Sequence, residues 1–206
     1  MTGFRSSYRA LGELALLVVF LAFSCLAQNQ ILYPEQEVHI PGLPSLMAVS
    51  QDSQYVLLTS LDTILHDKEI CCGKDSALHD TVTGADPKSL KDVAARLEGR
   101  HLLSDGRPFS VKTEYVAGKE TSGGHLITML REEHAGLMEW NSHLYVVQGA
   151  TYFWVADNDG GTYAQLHKLL LWDTRYSDAR RLVTFTIGID DPSKIDGLLF
   201  VEASRP

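Results

Sequence analysis

The hydrophobic pattern of this chain changes from helical spacing in its first half to strand-like runs in its last third. Three groups of mainly apolar residues recur at intervals of three and four positions, which is the spacing of an amphipathic helix. They predict helices with buried faces formed by Ala77, Leu78, Thr81 and Val82, by Leu90, Val93, Ala94 and Leu97, and by Leu126, Ile127, Met129 and Leu130. Asp86 and Pro87 suit the N-cap and first position of the second helix, and Gly84 and Gly99 the ends of the first two.

Strands are predicted where apolar and β-branched residues form short runs between turn residues. A short strand is expected around Glu37–Ile40, within an otherwise irregular stretch, and Tyr55–Leu58 reads as a buried strand. The remaining predicted strands are His101–Leu103, Phe109–Val116, Leu144–Val147, Ala150–Val155, Ala164–Trp172, Leu182–Ile187 and Leu198–Val201. Because helices come first and strands afterwards, the pattern predicts an α+β fold with N-terminal helices packed against a C-terminal antiparallel β-sheet.

The first 27 residues have the pattern of a secretory signal peptide. Two arginines precede the apolar run Leu14–Phe23, which is short for a membrane span, and small residues precede Gln28. We therefore expect cleavage before Gln28, export, and a mature chain of residues 28–206 that forms one domain. An uncleaved anchor, a buried N-terminal helix and lipid attachment at Cys25 are the alternatives.

Composition narrows the classes of partner. The net charge is -8 over 206 residues, with 45% hydrophobic and 21% charged residues, which is typical of a globular chain. The 18 Lys and Arg residues are outnumbered by 26 Asp and Glu residues and form no cluster, so no nucleic-acid surface is expected. We expect no cofactor, no resident metal and no membrane contact after signal cleavage, and the oligomeric state is left open.

Cys71 and Cys72 are the only cysteines outside the leader, and they precede the first predicted helix. The N-terminus of a helix presents unsatisfied N–H groups and the positive end of the dipole, and both favour a thiolate. Adjacent cysteines can pair only through a strained disulfide. The pair therefore predicts a nucleophilic cysteine, with a buried and inert pair of thiols as the alternative.

A histidine and a carboxylate stand at the ends of two predicted strands. His143 precedes the apolar run Leu144–Val147, and Asp173 follows the run Leu169–Trp172. If these strands are neighbours, Asp173 can accept a hydrogen bond from one nitrogen of the His143 ring while the other nitrogen faces a thiol. This predicts a Cys–His–Asp arrangement in that chain order.

Three segments resemble the papain-like cysteine peptidases of the bacteriocin-processing type. Cys72–Leu78 is similar to their nucleophile segment, in which a Cys-Gly pair opens the central helix. His143–Gly149 is similar to their histidine strand, and Leu170–Arg175 resembles the strand that ends in their orienting Asp. The likeness extends over about Tyr55 to Ile187, and each segment is short.

The resemblance implies a papain-like fold and a peptidase or amidohydrolase that cleaves a peptide or another amide substrate. It implies Cys72 as the nucleophile, His143 as the general base and then acid, and Asp173 as the group that fixes the tautomer of the ring. The backbone N–H of Cys72 would supply half of the oxyanion hole.

Two features depart from the family pattern. The family carries a glutamine before the cysteine that completes the oxyanion hole, whereas this chain has His66 near that position as the candidate donor. The interval between His143 and Asp173 is also long, and a hairpin about Asp157–Gly161 would absorb it. Asp157 is the second choice for the orienting acid, although an aspartate of a hairpin turn explains it more simply.

Two other functions fit the same residues. A catalytically silent binding or structural module on the same fold would keep the cleft and lack the oxyanion donor. The other candidate is a binding site for a soft metal, although adjacent cysteines lack the spacing with which two thiolates chelate zinc. Its ligands would be His66, Cys71, Cys72 and His79.

Overall fold

The structure is a computed structural model, and it describes residues 33–40, 53–65, 77–83, 89–103, 105–118, 122–157 and 159–205. These stretches contain four α-helices and an eight-stranded antiparallel β-sheet, so the expected α+β class is confirmed. The leader with Cys25, and the segment with His66, Cys71 and Cys72, lie outside the described residues.

The helices and strands alternate irregularly along the chain. The helices are α1 (Ser53–Leu65), α2 (Ala77–Thr83), α3 (Leu90–Leu97) and α4 (Gly123–Arg131). The strands are β1 (Gln36–His39), β2 (Gly99–Leu102), β3 (Pro108–Ala117), β4 (Ala135–Trp140), β5 (His143–Ala156), β6 (Thr162–Trp172), β7 (Leu182–Thr186) and β8 (Ile195–Ser204). Two short 3₁₀ helices precede β7 and β8, at Ala179–Arg181 and Pro192–Lys194.

The sheet is organised around the long strand β5. Its strand order is β2-β3-β8-β4-β5-β6-β7, and β1 pairs with β5 beside β4. One side of β5 pairs with β6, while β4 takes the first part of the other side and β1 the second part. Gly149 lies under β1, where a Cβ would come 2.2 Å from the carbonyl oxygen of Val38, so only glycine allows β1 to pair there.

Helix α1 corrects one prediction. Tyr55–Leu58 is not a strand, because it lies in the first half of this helix. A run of four apolar residues suits either structure, and the burial of Leu57, Leu61, Ile64 and Leu65 on following turns shows the helical period. Helix α1 packs against β4 and β5, and it ends immediately before His66.

The start of α3 corrects another. Its N-cap is Ser89, whose Oγ accepts a hydrogen bond of 3.2 Å from the backbone N–H of Asp92, and so Asp86 is not the cap of this helix. Serine caps as well as aspartate does, and the acidic Asp92 in the first turn favours a start here through the helix dipole. The predicted apolar face is confirmed, since Leu90, Val93, Ala94 and Leu97 are all buried.

The strand predictions hold in most places. The hairpin through Asp105 and Gly106 joins β2 and β3, and the predicted runs Leu144–Val147 and Ala150–Val155 belong to the single strand β5. The strand β4 was not predicted, because Ala, Gly and Met in its sequence carry little β preference of their own. It is nevertheless central in the sheet, between β5 and β8.

Most of the buried hydrophobic residues of the helices and the sheet form one core cluster. Helix α3 packs against β3 and β8, and α4 packs against β1, β5 and β6. The largest fully buried aromatic side chains are Phe109, Phe185 and Phe200. Among the described helices, none combines the length and the hydrophobicity that crossing a membrane requires.

Candidate functional site

The register of β5 and β6 determines which residues meet at the end of the sheet where His143 lies. Val146 of β5 pairs with Trp172 of β6. Beyond Trp172 the chain leaves the strand, and Thr174 and Arg175 lie in a turn. Asp173 follows β6 directly, and His143 is the first residue of β5. The antiparallel pairing therefore brings His143 and Asp173 to the same end of two neighbouring strands.

Arg175 holds the Asp173 carboxylate with both sides of its guanidinium. Its Nε donates to Oδ1 at 2.8 Å and its Nη2 donates to Oδ2, while its backbone N–H donates to Oδ1 at 3.0 Å. The side chain of Asp173 is only 4% exposed, so this carboxylate is buried and its charge is balanced by the guanidinium. The hydrogen bonds raise the pKa of Arg175 above its usual value.

The third nitrogen of Arg175 contacts His143. Its Nη1 lies 3.2 Å from Nδ1 of the ring. Arg175 thus stands between the two predicted catalytic residues and contacts each of them. The expected hydrogen bond between His143 and Asp173 would require the ring and the carboxylate to meet without the guanidinium between them.

A buried pair of hydroxyl groups anchors the loop that carries Asp173 and Arg175. Ser60 of α1 and Thr174 lie 3.2 Å apart through their hydroxyl oxygens, and both residues are buried. The backbone N–H of Asp173 donates to the carbonyl of Arg181 at 2.8 Å, which fixes the other side of the loop. The loop is therefore tied to helix α1 as well as to the sheet.

Aromatic residues flank the same end of the sheet. Trp140 pairs with His143 across the β4–β5 turn, and its ring packs edge-on against Phe185 with 5.1 Å between the ring centroids. Tyr145 is buried beside Trp140, and burial raises its pKa although the positive charge of Arg175 acts in the opposite direction. Trp140 and His143 are therefore neighbours at this end of the sheet. The side of Trp140 that faces Phe185 belongs to the core.

The Asp173–Arg175 pair repeats a local arrangement found twice more among the residues that the structure describes. Asp105 with Arg107, and Asp178 with Arg180, have the same spacing, the same backbone hydrogen bond and a similar side-chain pairing. These two aspartates are about half exposed, and the hydrogen bonds from their arginines lower the pKa of each. Among these three pairs, only Asp173 is buried.

Other predicted site residues lie elsewhere. Asp157 is in the turn between β5 and β6, where its backbone N–H donates to the carbonyl of Gly161 at 2.8 Å. It is at the opposite end of β5 from His143, up to about 45 Å along an extended strand. The structure therefore supports its alternative assignment as a turn residue. Within the described ranges, no three His, Cys, Asp or Glu side chains are grouped as a metal site would require.

Cys72 and His66 lie in residues 66–76, which the structure does not describe. Helix α1 ends at Leu65, immediately before His66, and α2 begins at Ala77, five residues after Cys72. The predicted meeting of the Cys72 sulfur with the His143 ring thus stays a prediction.

Sequence reasoning gave Arg175 no role, although the segment that contains it was singled out. The available signal was the Asp-x-Arg spacing, because an arginine two residues after an aspartate can fold back onto its carboxylate in a turn. The contact of this guanidinium with His143 depends on the pairing of β5 with β6, and only the folded sheet shows it.

No protein-family model matches the chain, and none of the curated proteins is similar enough to it to count as a relative.

Proposed function

We propose that this chain is an exported papain-like thiol hydrolase that cleaves peptide or other amide bonds. Cys72 is the nucleophile, His143 the general base and acid, and Asp173 the group that orients the ring. The observation that supports the proposal is the common end of β5 and β6, where His143 and the buried carboxylate of Asp173 lie on either side of one arginine. A buried carboxylate beside a histidine is what the third member of such a triad requires.

The proposed reaction proceeds in two halves. The Cys72 thiol gives its proton to His143 and its sulfur attacks the amide carbonyl, and the C–N bond then breaks as His143 returns the proton to the leaving amine. Water next attacks the thioester as His143 takes a proton from it, and the C–S bond then breaks as His143 returns that proton to the sulfur. The Cys72 backbone N–H and the His66 ring are the proposed oxyanion donors.

Export is part of the proposal. Removal of the first 27 residues would leave the mature chain with only Cys71 and Cys72 as thiols. Two adjacent thiols cannot form a disulfide framework that staples an exported fold, so a chemical role accounts for them better. The substrate would be a peptide or amide that is reached outside the cytosol, and no cofactor is needed for this chemistry.

A silent binding or structural module is the second candidate, and Arg175 favours it. The guanidinium contacts both the carboxylate of Asp173 and Nδ1 of His143. In a working triad these two groups would be hydrogen-bonded to each other. If this arrangement is permanent, the fold keeps the residues of the site without its reaction.

Turnover in cysteine variants tests the proposal. The full chain and its Cys72→Ala variant are incubated with a defined peptide library, and mass spectrometry identifies new termini. We expect Cys72→Ala to abolish cleavage and Cys71→Ala, the matched control in the neighbouring residue, to retain it. His66→Ala should lower kcat by roughly 100-fold with KM little changed. Cleavage that persists in Cys72→Ala would refute the nucleophile, and no cysteine-dependent cleavage in any sample would favour the silent module.

A further inference from the structure

Arg175 constrains which nitrogen of His143 carries a proton. A guanidinium has five N–H donors and no acceptor. Its Nη1 lies 3.2 Å from Nδ1 of His143, within the range of a hydrogen bond. The contact is favourable only if Nδ1 accepts, and a neutral imidazole that accepts at Nδ1 carries its proton on Nε2.

Asp173 holds the guanidinium in place beside the ring. Two of its nitrogens are held by Asp173, whose side chain is 4% exposed, and the backbone N–H of Arg175 donates to the same carboxylate. The neighbouring Thr174 is fixed to Ser60 of α1. Because the fork is planar and rigid, fixing Nε and Nη2 on the carboxylate also fixes the direction of Nη1.

We propose that Arg175 is the positioning residue that sets the tautomer of His143, holding the ring with its proton on Nε2 and keeping Asp173 from Nδ1. In this arrangement Nε2 donates and cannot take a proton from a thiol. Conversion to a working base requires that Arg175 release Nδ1 and that Asp173 accept a hydrogen bond from it. The consequence for catalysis rests on the proposed function, whereas the tautomer does not.

The tautomer is read directly by nitrogen chemical shifts of the imidazole ring. The full chain is labelled with ¹⁵N and observed at about pH 8.5, where an ordinary imidazole is neutral. The signal of His143, one of eight histidines, is identified by its loss in His143→Gln. The unprotonated nitrogen resonates far downfield of the protonated one. We expect Nδ1 of His143 at the unprotonated limit in the wild-type chain.

Three arginine variants complete the experiment. Arg175→Met frees Asp173 to accept from Nδ1, so the ring should change to the Nδ1–H tautomer. Arg175→Lys retains a positive charge for Asp173 but has no third fork nitrogen for the ring, so the signal should leave the limiting position. Arg180→Met is the matched control, because Arg180 has the same pairing with Asp178. It should leave the spectrum of His143 unchanged.

Each outcome decides the proposal. An Nδ1–H tautomer in the wild-type chain would overturn it, and so would a His143 signal that Arg175→Met leaves unchanged. If Arg175→Met fails to fold, Arg175→Lys decides instead, and a His143 signal that it leaves unchanged would overturn the proposal. The nitrogen shifts are independent of activity, so a silent module with the Nε2–H tautomer would refute the proposed function and retain the role of Arg175. If both proposals hold, the folded Arg175→Met chain should also cleave peptides faster than the wild type.

Discussion

The hydroxyl of Thr174 donates to the hydroxyl of Ser60 across an interval of 114 residues. The direction follows from a second contact, because the Oγ of Ser60 donates its own proton to the carbonyl of Val56 at 2.7 Å. Both hydroxyl groups are buried, and they join helix α1 to the loop between Asp173 and Arg175. The helix that leads to His66 is thus bound to the loop that contacts His143.

This relationship predicts an asymmetry between two substitutions. Ser60→Ala leaves the Thr174 hydroxyl buried without its acceptor and should cost about 1–3 kcal/mol of unfolding free energy. Thr174→Val keeps the shape and leaves Ser60 bonded to Val56, so it should cost less. The double variant should be more stable than the sum of the two losses implies. Urea unfolding of the four proteins measures this, and strict additivity would show that the two hydroxyls are not coupled.

Two aspartate–arginine pairs of the same local geometry should differ in their contribution to stability, because only one of them is buried. Asp173→Ala removes a buried carboxylate and leaves the Arg175 guanidinium and backbone N–H without their acceptor. We expect a loss of roughly 3 kcal/mol, at the low end for a broken buried pair because Arg175 retains some exposure. Asp178→Ala is the control, and it should barely change Tm because solvent already surrounds that pair. Equal losses in thermal unfolding would contradict the importance of burial.

The sequence predicted those parts of the fold that depend on the spacing of a few neighbouring residues. The apolar face of α3 and the alternation in β3 are each set by side-chain spacing within one element. The prediction of a strand at Tyr55–Leu58 was wrong because a run of four apolar residues does not distinguish a strand from a buried helix. The strand β4 was missed because it is stabilised by its two neighbours in the sheet and not by its own propensity.

The candidate site was predictable in part for a related reason. The ends of apolar runs marked His143 and Asp173, and the paired strands bring both to the same end of the sheet. The place of Arg175 could not be read from the chain, because the turn that carries it meets His143 only once β5 and β6 have paired. Positions that depend on long-range register are not encoded by local spacing.

Glu139 should make stability depend on pH. Burial raises the pKa of this β4 carboxyl, and the negative charge of Asp196 raises it further. A raised pKa means that the folded chain binds the proton more tightly than the unfolded chain does, so stability falls as pH rises from about 4.5 through the folded pKa. Glu139→Gln should therefore raise Tm at pH 7, with no gain below about pH 4.

A second variant separates the two causes. Asp196→Asn removes only the charge, which is the smaller influence, so its gain in Tm at pH 7 should be less than that of Glu139→Gln. Melting temperatures of the three proteins between pH 3 and about 8 measure both effects. A Glu139→Gln gain that persists unchanged at the acid end would show that the cause is not the ionisation of this carboxyl.

The proposed leader makes a simple prediction about the mature protein. We expect exported material to begin at Gln28, because small residues precede it after the apolar run Leu14–Phe23. N-terminal sequencing of the exported chain measures this. A lipid-modified start at Cys25 would establish an anchored protein, and an intact Met1 would exclude removal of a leader.

The ionisation of Cys72 tests the central claim most directly. If Cys72 lies beside the His143 ring as proposed, the pKa of its thiol should be below the ordinary value of about 8.5, since either a base or a donated N–H at the ring stabilises the thiolate. Iodoacetamide labelling is followed against pH, with digestion and mass spectrometry to separate Cys72 from Cys71. We predict that Cys72 is labelled rapidly below pH 7, that His143→Ala moves this labelling to higher pH, and that Cys71 behaves as an ordinary thiol. Labelling of Cys72 that begins only above about pH 8, or that is indifferent to His143→Ala, would contradict the account.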